Sequence, residues 1–221
     1  MLPSIDYQSL VDFQGLPVIR ETLVNRTEGF IVANIPSLTP HPFQKLELGV
    51  AGSSLIKRDP VNVSSIPVLP LLEALHKLSH KVFKNLSHAL ELPWERYLGE
   101  MHEFIVSGQD GLQVITANKP VPNAWSTLTI VINDTSPDTA IILYGSALSV
   151  FSEGHTATLK PSTLDESLPK GAGARLVYYV RPNNDVFYTR AAGALMAPLS
   201  GEEYKSRKRV REMLPVLLAL E

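Results

Sequence analysis

The stretch STLTIVINDTSPDTAIILY, residues 126–144, holds two short β-prone runs, 126–133 and 139–144, parted by Asn133, Asp134 and Pro137. Runs of this length, rich in Ile, Val and Thr and broken by turn residues, read as strands rather than helices. Working outward, the same texture recurs at 101–107 and 111–116 upstream, and at 147–151, 155–159, 174–181 and 185–191 downstream. Eight short strands at this spacing predict a mainly β core, a sandwich or barrel.

Helical signals flank that core. Residues 4–8 read as a short extended segment, and 16–28 as a helix that Gly29 would end in a left-handed conformation. Phe30 to Ile35 reads as a buried strand, and 36–70, rich in Pro, Ser and Gly, gives no regular element. The clearest helix is 71–92, with Leu71, Leu75, Leu78, Val82, Leu86 and Leu90 at three- and four-residue spacing before Pro93 stops it. Ser200 and Glu203 have capping-box spacing, so a closing helix is expected from there to about Leu220, with Pro215 as a kink and the basic run Lys205–Arg209 on a solvated face. The expectation is one domain, 1–221: a helix-rich part (1–97), a β core (98–192) and a C-terminal helix (193–221).

With 221 residues, 44% hydrophobic and 19% charged, the chain can bury one sizeable core. The net charge of −2 supplies no electrostatic reason to expect nucleic acid or an anionic membrane as partner. No cysteine occurs, which removes disulfides, thiolate metal sites and cysteine nucleophiles, and points to a reducing, cytoplasmic setting. The start Met1-Leu-Pro-Ser-Ile-Asp6 lacks the basic-then-apolar pattern of a signal peptide, and no apolar run of eighteen or more residues occurs, so neither a secretory leader nor a membrane span is expected from this sequence.

Five strings then carry a resemblance. Pro3-Ser-Ile-Asp6 looks like a "P-x-I-D" opening and Thr27-Glu-Gly-Phe-Ile31 like an "e-x-G-F-F" helix-to-strand junction. Gln109 to Val114 is similar to "q-d…G-L-Q-V", Pro137 to Leu148 to "P-g-a-l-v-V-N-i-G-D-x-L", and Ser152-Glu-Gly-His155 to "S-N-G-R". In this order they resemble the isopenicillin N synthase-like group of 2-oxoglutarate, Fe(II)-dependent dioxygenases. The resemblance implies a double-stranded β-helix, a cupin-like jelly-roll barrel with flanking helices, here shortened between about 40 and 70 and again before 98.

Such enzymes hold Fe(II) with two His and one carboxylate. A gapless count back from Gln109 sets Leu98 where the first His belongs and Glu100 at the carboxylate, and the distal His position falls on Pro161. The triad is therefore read as lost, with no metal or cofactor expected; the alternative retains Fe(II) and 2-oxoglutarate through shifted ligands such as His102, Glu103 and His155. The family Arg that pairs with 2-oxoglutarate falls near Arg175. Strand alternation places Arg175, Val177 and Tyr179 on one face, and would place Glu100, His102 and Phe104 on another.

If those faces line the old iron cavity, Glu100, His102 and Arg175 are the candidate catalytic groups, with Phe104, His155, Tyr179 and Trp125 as candidate substrate contacts. Tyr144 and Tyr178 read as packing aromatics, and His41, His76, His80 and His88 as surface residues. The function this implies is a metal-independent cyclase or isomerase of specialised metabolism, including a pericyclase such as a Diels-Alderase, acting on an apolar polyketide, terpenoid or alkaloid intermediate. The rivals are the Fe(II)/2-oxoglutarate oxygenase and a non-catalytic binding protein. A small apolar molecule is the expected partner, and a homodimer is allowed.

Overall fold

The structure is a computed structural model, and it describes residues 2–38, 55–57, 69–92, 98–102, 110–116, 121, 126–152, 174–182, 187–188 and 199–200. In chain order these hold β1 (Ser4–Asp6), α1 (Tyr7–Val11), α2 (Leu16–Val24), β2 (Gly29–Ala33), a 3-10 turn at Pro36–Leu38, β3 (Leu55–Lys57) and α3 (Leu69–Ala89). A second 3-10 turn at Leu98–Met101 follows, then β4 (Gly111–Thr116), β5 (Leu128–Asn133), β6 (Ser136–Tyr144), α4 (Ser146–Phe151), β7 (Ala174–Val180), β8 (Phe187–Tyr188) and β9 (Leu199–Ser200).

Seven strands form one sheet in the order β1-β2-β6-β5-β7-β4-β3, and β8 pairs with β9 in a separate ladder. Only β1 and β2 run parallel; the other contacts in the large sheet are antiparallel. The stretch 126–144 lies at its centre: β5 and β6 form a hairpin, with Leu128 opposite Tyr144 and Ile130 opposite Ile142, while the other edge of β5 pairs with β7. Among the described residues this sheet is open, with β1 and β3 at its edges.

Alternation sorts the sheet into two apolar faces. One carries Phe30, Val32, Leu112, Ile130, Ile132, Ile142, Leu176 and Tyr178 and merges with Leu72, Leu75, Leu78, Val82, Phe83 and Leu86 of α3 into the main core. The seam expected along α3 is therefore its packing face, and each such side chain taken fully from water contributes about 1.5–3 kcal/mol. The opposite face gathers Ile115, Val131, Ile141, Leu143, Val177 and Tyr179 with Val121 into a second buried cluster.

Several expectations need correction. The 16–28 helix stops at Val24, where Arg26 takes the left-handed conformation (φ 51°) and the Thr27 N–H bonds back to the Thr22 carbonyl at 2.9 Å. Gly29 instead opens β2, where a side chain would run into the Ile142 carbonyl of the paired strand. Segment 147–151 is helix, not strand, and the start of the predicted 101–107 strand belongs to a 3-10 turn. Two short elements, Pro36–Leu38 and Leu55–Lys57, lie in the stretch read as irregular. Of 185–191, Phe187–Tyr188 is strand. The 155–159 strand and the helix expected beyond Ser200 lie outside the described residues, and Ser200 itself is in β9. Among the described residues no helix is long and apolar enough to cross a membrane.

Candidate functional site

The face of the sheet turned away from α3 is where polar chemistry meets an apolar wall. Register aligns its side chains in cross-strand rows: Leu143, Thr129 and Tyr179 in one, with Gly111 next to Tyr179 on β4, and Ile141, Val131, Val177 and Gln113 in the adjoining row. Arg175 and Ile115 are paired one step further along. Thr129, Tyr179, Gln113, Arg175 and Asn133, the last paired with Arg175 on β5, thus form a polar track across a largely aliphatic face. Diagonal neighbours on paired strands lie about 7–8 Å apart at the backbone, within reach of long side chains.

The strand ends fix this track. Buried Asp110 accepts the Tyr178 hydroxyl at 2.6 Å and the Arg181 N–H at 2.8 Å, which pins the end of β7 with Tyr178 in the main core. Alternation then turns Tyr179 to the other side, where its hydroxyl donates a long 3.4 Å bond to Gln113 Oε1. The Arg181 guanidinium stands 5.4 Å over the Tyr179 ring. Burial pushes the Tyr179 phenol up to about 12, with Arg181 pulling the other way, so it is a neutral hydrogen-bond donor at physiological pH. Burial also lowers the Arg181 pKa, opposed by Asp110. Arg175 is buried on this face at 4% exposure, and its guanidinium supplies a fixed positive charge there. Thr129 Oγ1 and Ser126 Oγ share a 3.0 Å bond.

Glu100 and His102 do not join this track. Glu100 is exposed on the 3-10 turn. His102 is buried in the helix layer, its ring 4.2 Å from that of Phe83. Nδ1–H donates to the Leu98 carbonyl, which fixes the tautomer, and Nε2 accepts from Thr127 Oγ1 at 2.7 Å. Desolvation holds its pKa down at about 3, so the ring is neutral, with both nitrogens engaged in structural bonds. The expectation that Glu100 and His102 line the cavity with Arg175 is therefore corrected: a strand was expected where the chain makes a turn under α3. His76 and His80, expected on a solvated face, are instead packed together with ring centroids 4.4 Å apart, and His76 is buried. Tyr144 and Tyr178 are packing aromatics as expected, each with a bonded hydroxyl. Phe104, Trp125 and His155 lie outside the described residues, as does Pro161.

The sequence reading missed Gln113 and Thr129 as site residues. The signal was available in the alternation of β4, where Gly111, Gln113 and Ile115 share the face opposite Leu112 and Val114.

An Fe(II) centre of two imidazoles and a carboxylate does not fit the described residues. Leu98 is fully buried and cannot ligate, Glu100 points to solvent, and both His102 nitrogens are spoken for. Among the described residues no three His, Cys, Asp or Glu side chains converge on a point.

The fold itself is shared with solved oxygenases. The chain is similar to a full-length Neurospora crassa protein solved in complex with alpha-KG (TM-score 0.65, 13% identity, 96% of each chain covered). It is also similar to JOX2 in complex with 2OG, Fe and JA (0.57, 16%, 93% of this chain and 84% of that one). A third match is the dioxygenase for auxin oxidation 1 from Arabidopsis thaliana (0.56, 14%, 84% and 96%). No family model and no curated protein matches the sequence. The architecture is thus the double-stranded β-helix fold of the 2-oxoglutarate, Fe(II) oxygenases, as the sequence motifs implied, with its large sheet open among the described residues.

Proposed function

We infer that this protein is an enzyme that uses the oxygenase fold without the oxygenase metal, isomerising or cyclising a small, largely apolar, carbonyl-bearing intermediate of specialised metabolism. The observation that carries this reading is the polar track on the inner sheet face. A neutral phenol at Tyr179 and a fixed cation at Arg175 stand four residues apart on β7, roughly 13 Å along the strand at 3.3 Å per residue. Val131, Ile141, Leu143 and Val177 supply the apolar wall between and around them.

That arrangement can do two things. An apolar wall holds a flexible polyene in one folded shape, which removes activation entropy. A neutral donor such as Tyr179 O–H polarises a substrate carbonyl, and the Arg175 charge stabilises negative charge as it develops, both in a medium where such interactions are strong. Neither nucleic acid nor a membrane surface is a partner in this reading, and the absence of cysteine suits a cytoplasmic setting.

The test is mass-resolved product analysis with chelator-treated protein and a panel of polyketide, terpenoid and alkaloid intermediates. The expected product is isobaric with its substrate, and Tyr179→Phe slows its formation by about a hundredfold, the typical loss for one preorganised donor. A product heavier by one oxygen, formed only with Fe(II) and 2-oxoglutarate, would establish the oxygenase instead. Binding without conversion across the panel would establish a non-catalytic receptor.

A further inference from the structure

Lys77, Lys81 and Lys84 follow one another at four- and three-residue spacing along α3 and so stack into a single ridge, about 10 Å from first to last at 1.5 Å per residue. The apolar seam of the helix, from Leu72 to Leu86, is turned into the core, and the ridge looks outward, with Lys77 and Lys84 exposed and Lys81 half-buried. Like charges at this spacing repel, a cost that a carboxylate three or four residues away relieves. Lys81 and Lys84 have no acidic residue at those positions in either direction. Among the described residues none of the three lysines is in an ion pair. The chain as a whole has 22 acidic against 20 basic side chains, so the ridge is a local concentration of charge and not a share of a general excess.

Phe13 marks the same ridge independently. It follows α1 in the left-handed conformation (φ 61°), a place that suits glycine and that a bulky side chain rarely takes. There its ring meets Lys84, whose Nζ stands 5.1 Å from the centroid, and lies edge-on to His88, one turn further along α3, also at 5.1 Å. A surface lysine ordinarily loses much rotamer freedom when it binds, whereas the Lys84 ammonium is already held on an aromatic face. Exposed carboxylates bound the ridge, with Glu73 one turn before Lys77 and Glu91 just beyond His88. The stretch between them, Lys77 to His88, is roughly 16 Å or three turns long. A polyanion or a flat anionic membrane laid along α3 would meet those carboxylates, and three lysines fall short of the roughly four to eight basic residues that hold a chain to such a membrane. A short acidic segment fits between them.

We infer that the ridge of Lys77, Lys81 and Lys84 is a docking surface for an acidic helix of a partner protein, one that presents carboxylates at the same four- and three-residue spacing. The ridge lies on the opposite side of the sheet from Arg175 and Tyr179, so it stands or falls separately from the reaction proposed for the inner face.

The experiment is an NMR titration of the full chain, labelled at lysine and phenylalanine, at low salt. The probes are an alanine-rich helical peptide with three Glu at four- and three-residue spacing, its isomer with the same three Glu spread around the helix, and a thymidine oligonucleotide; phosphatidylserine vesicles are compared by co-sedimentation. We expect the matched peptide to shift the Lys84 and Phe13 signals saturably and to bind at least about fivefold tighter than its isomer, the sum of three exposed charge pairs. Salt at about 0.5 M removes that margin. The double variant Lys81→Glu, Lys84→Glu loses it too, and a peptide carrying Lys in place of Glu restores binding, which also shows that the variant is folded. Phe13→Gly, which suits the left-handed backbone, weakens the matched peptide by about threefold; unchanged binding would overturn the role given to Phe13. Equal binding of the two isomers would overturn the matched spacing. Tighter binding of the oligonucleotide or the vesicles would overturn the partner class, and unmoved lysine signals with every probe would make the ridge a solvated helix face. These last three outcomes are read on the wild-type chain alone.

Discussion

Burial leaves His102 as a neutral strut tying the Leu98–Met101 turn to Thr127 at the start of β5, and this has a consequence for acid stability. Its pKa is held at about 3 in the folded chain, chiefly by desolvation, against about 6.5 for an exposed imidazole. Between those values the unfolded chain binds the proton and the folded chain does not. The strut's contribution is therefore fully present above about pH 6.5 and is lost as pH falls through that window, at up to roughly 1.4 kcal/mol per pH unit. In His102→Gln the protein should be less stable at pH 7.5 but lose less on acidification, as urea unfolding at pH 7.5 and pH 5.5 would show; parallel losses in the two proteins would contradict this role. At this scale the sequence was half legible. Strand alternation grouped Arg175 with Tyr179, because period two survives an uncertain register. It misplaced Glu100 and His102, because a 3-10 turn has no periodic signature and the Phe104-Ile105-Val106 that follows has strand composition.

Elements were read well where long-range pairing agreed with local preference, as in α3 and the β5–β6 hairpin, and misread where tertiary contacts overrode it. Segment 147–151 contains Val150 and Phe151 and looks like a strand, yet it forms α4. Its start is dictated by the neighbouring loop: Gly145 N–H donates to the Thr127 carbonyl at 2.9 Å, and Ala147 N–H donates to the Ser126 carbonyl at 3.0 Å. Gly145 lies so close to the Ser126 backbone that a Cβ there would collide with its carbonyl. Gly99 offers the contrast, since a Cβ at that position would meet the His80 ring at 3.6 Å, an ordinary contact. Gly145→Ala should therefore cost on the order of 3 kcal/mol, and Gly99→Ala about 0.5 kcal/mol or less. Comparison of the two denaturation midpoints checks this, and similar losses would mean that the close approach at Gly145 does not govern how α4 begins.

At the scale of the whole molecule, the strand order explains why the site face exists. Sequence neighbours β4 and β5 are separated in space by β7, so the polar residues on the inner face come from three strands, and local alternation gives the face of each strand but not which strands adjoin. The same topology sets the Leu98–Met101 turn against α3, on the side of the sheet away from Arg175 and Tyr179. A strand-borne pair of ligands before Gln109 would need those residues on the inner face, and here they are committed to the helix layer by the Leu98 N–H bond to Ser87 and the two bonds of the His102 ring. Joint addition of Mn(II), a stand-in for Fe(II), and 2-oxoglutarate should consequently leave the melting temperature within about 1 °C of its starting value. A cosubstrate complex at a hundred times its dissociation constant would add about 2.7 kcal/mol, which in a chain of this size raises the midpoint by roughly 5–10 °C. A rise of that size that requires metal and 2-oxoglutarate together would show that ligands are drawn from elsewhere in the chain, and the metal-free reading of the inner face would fall with it.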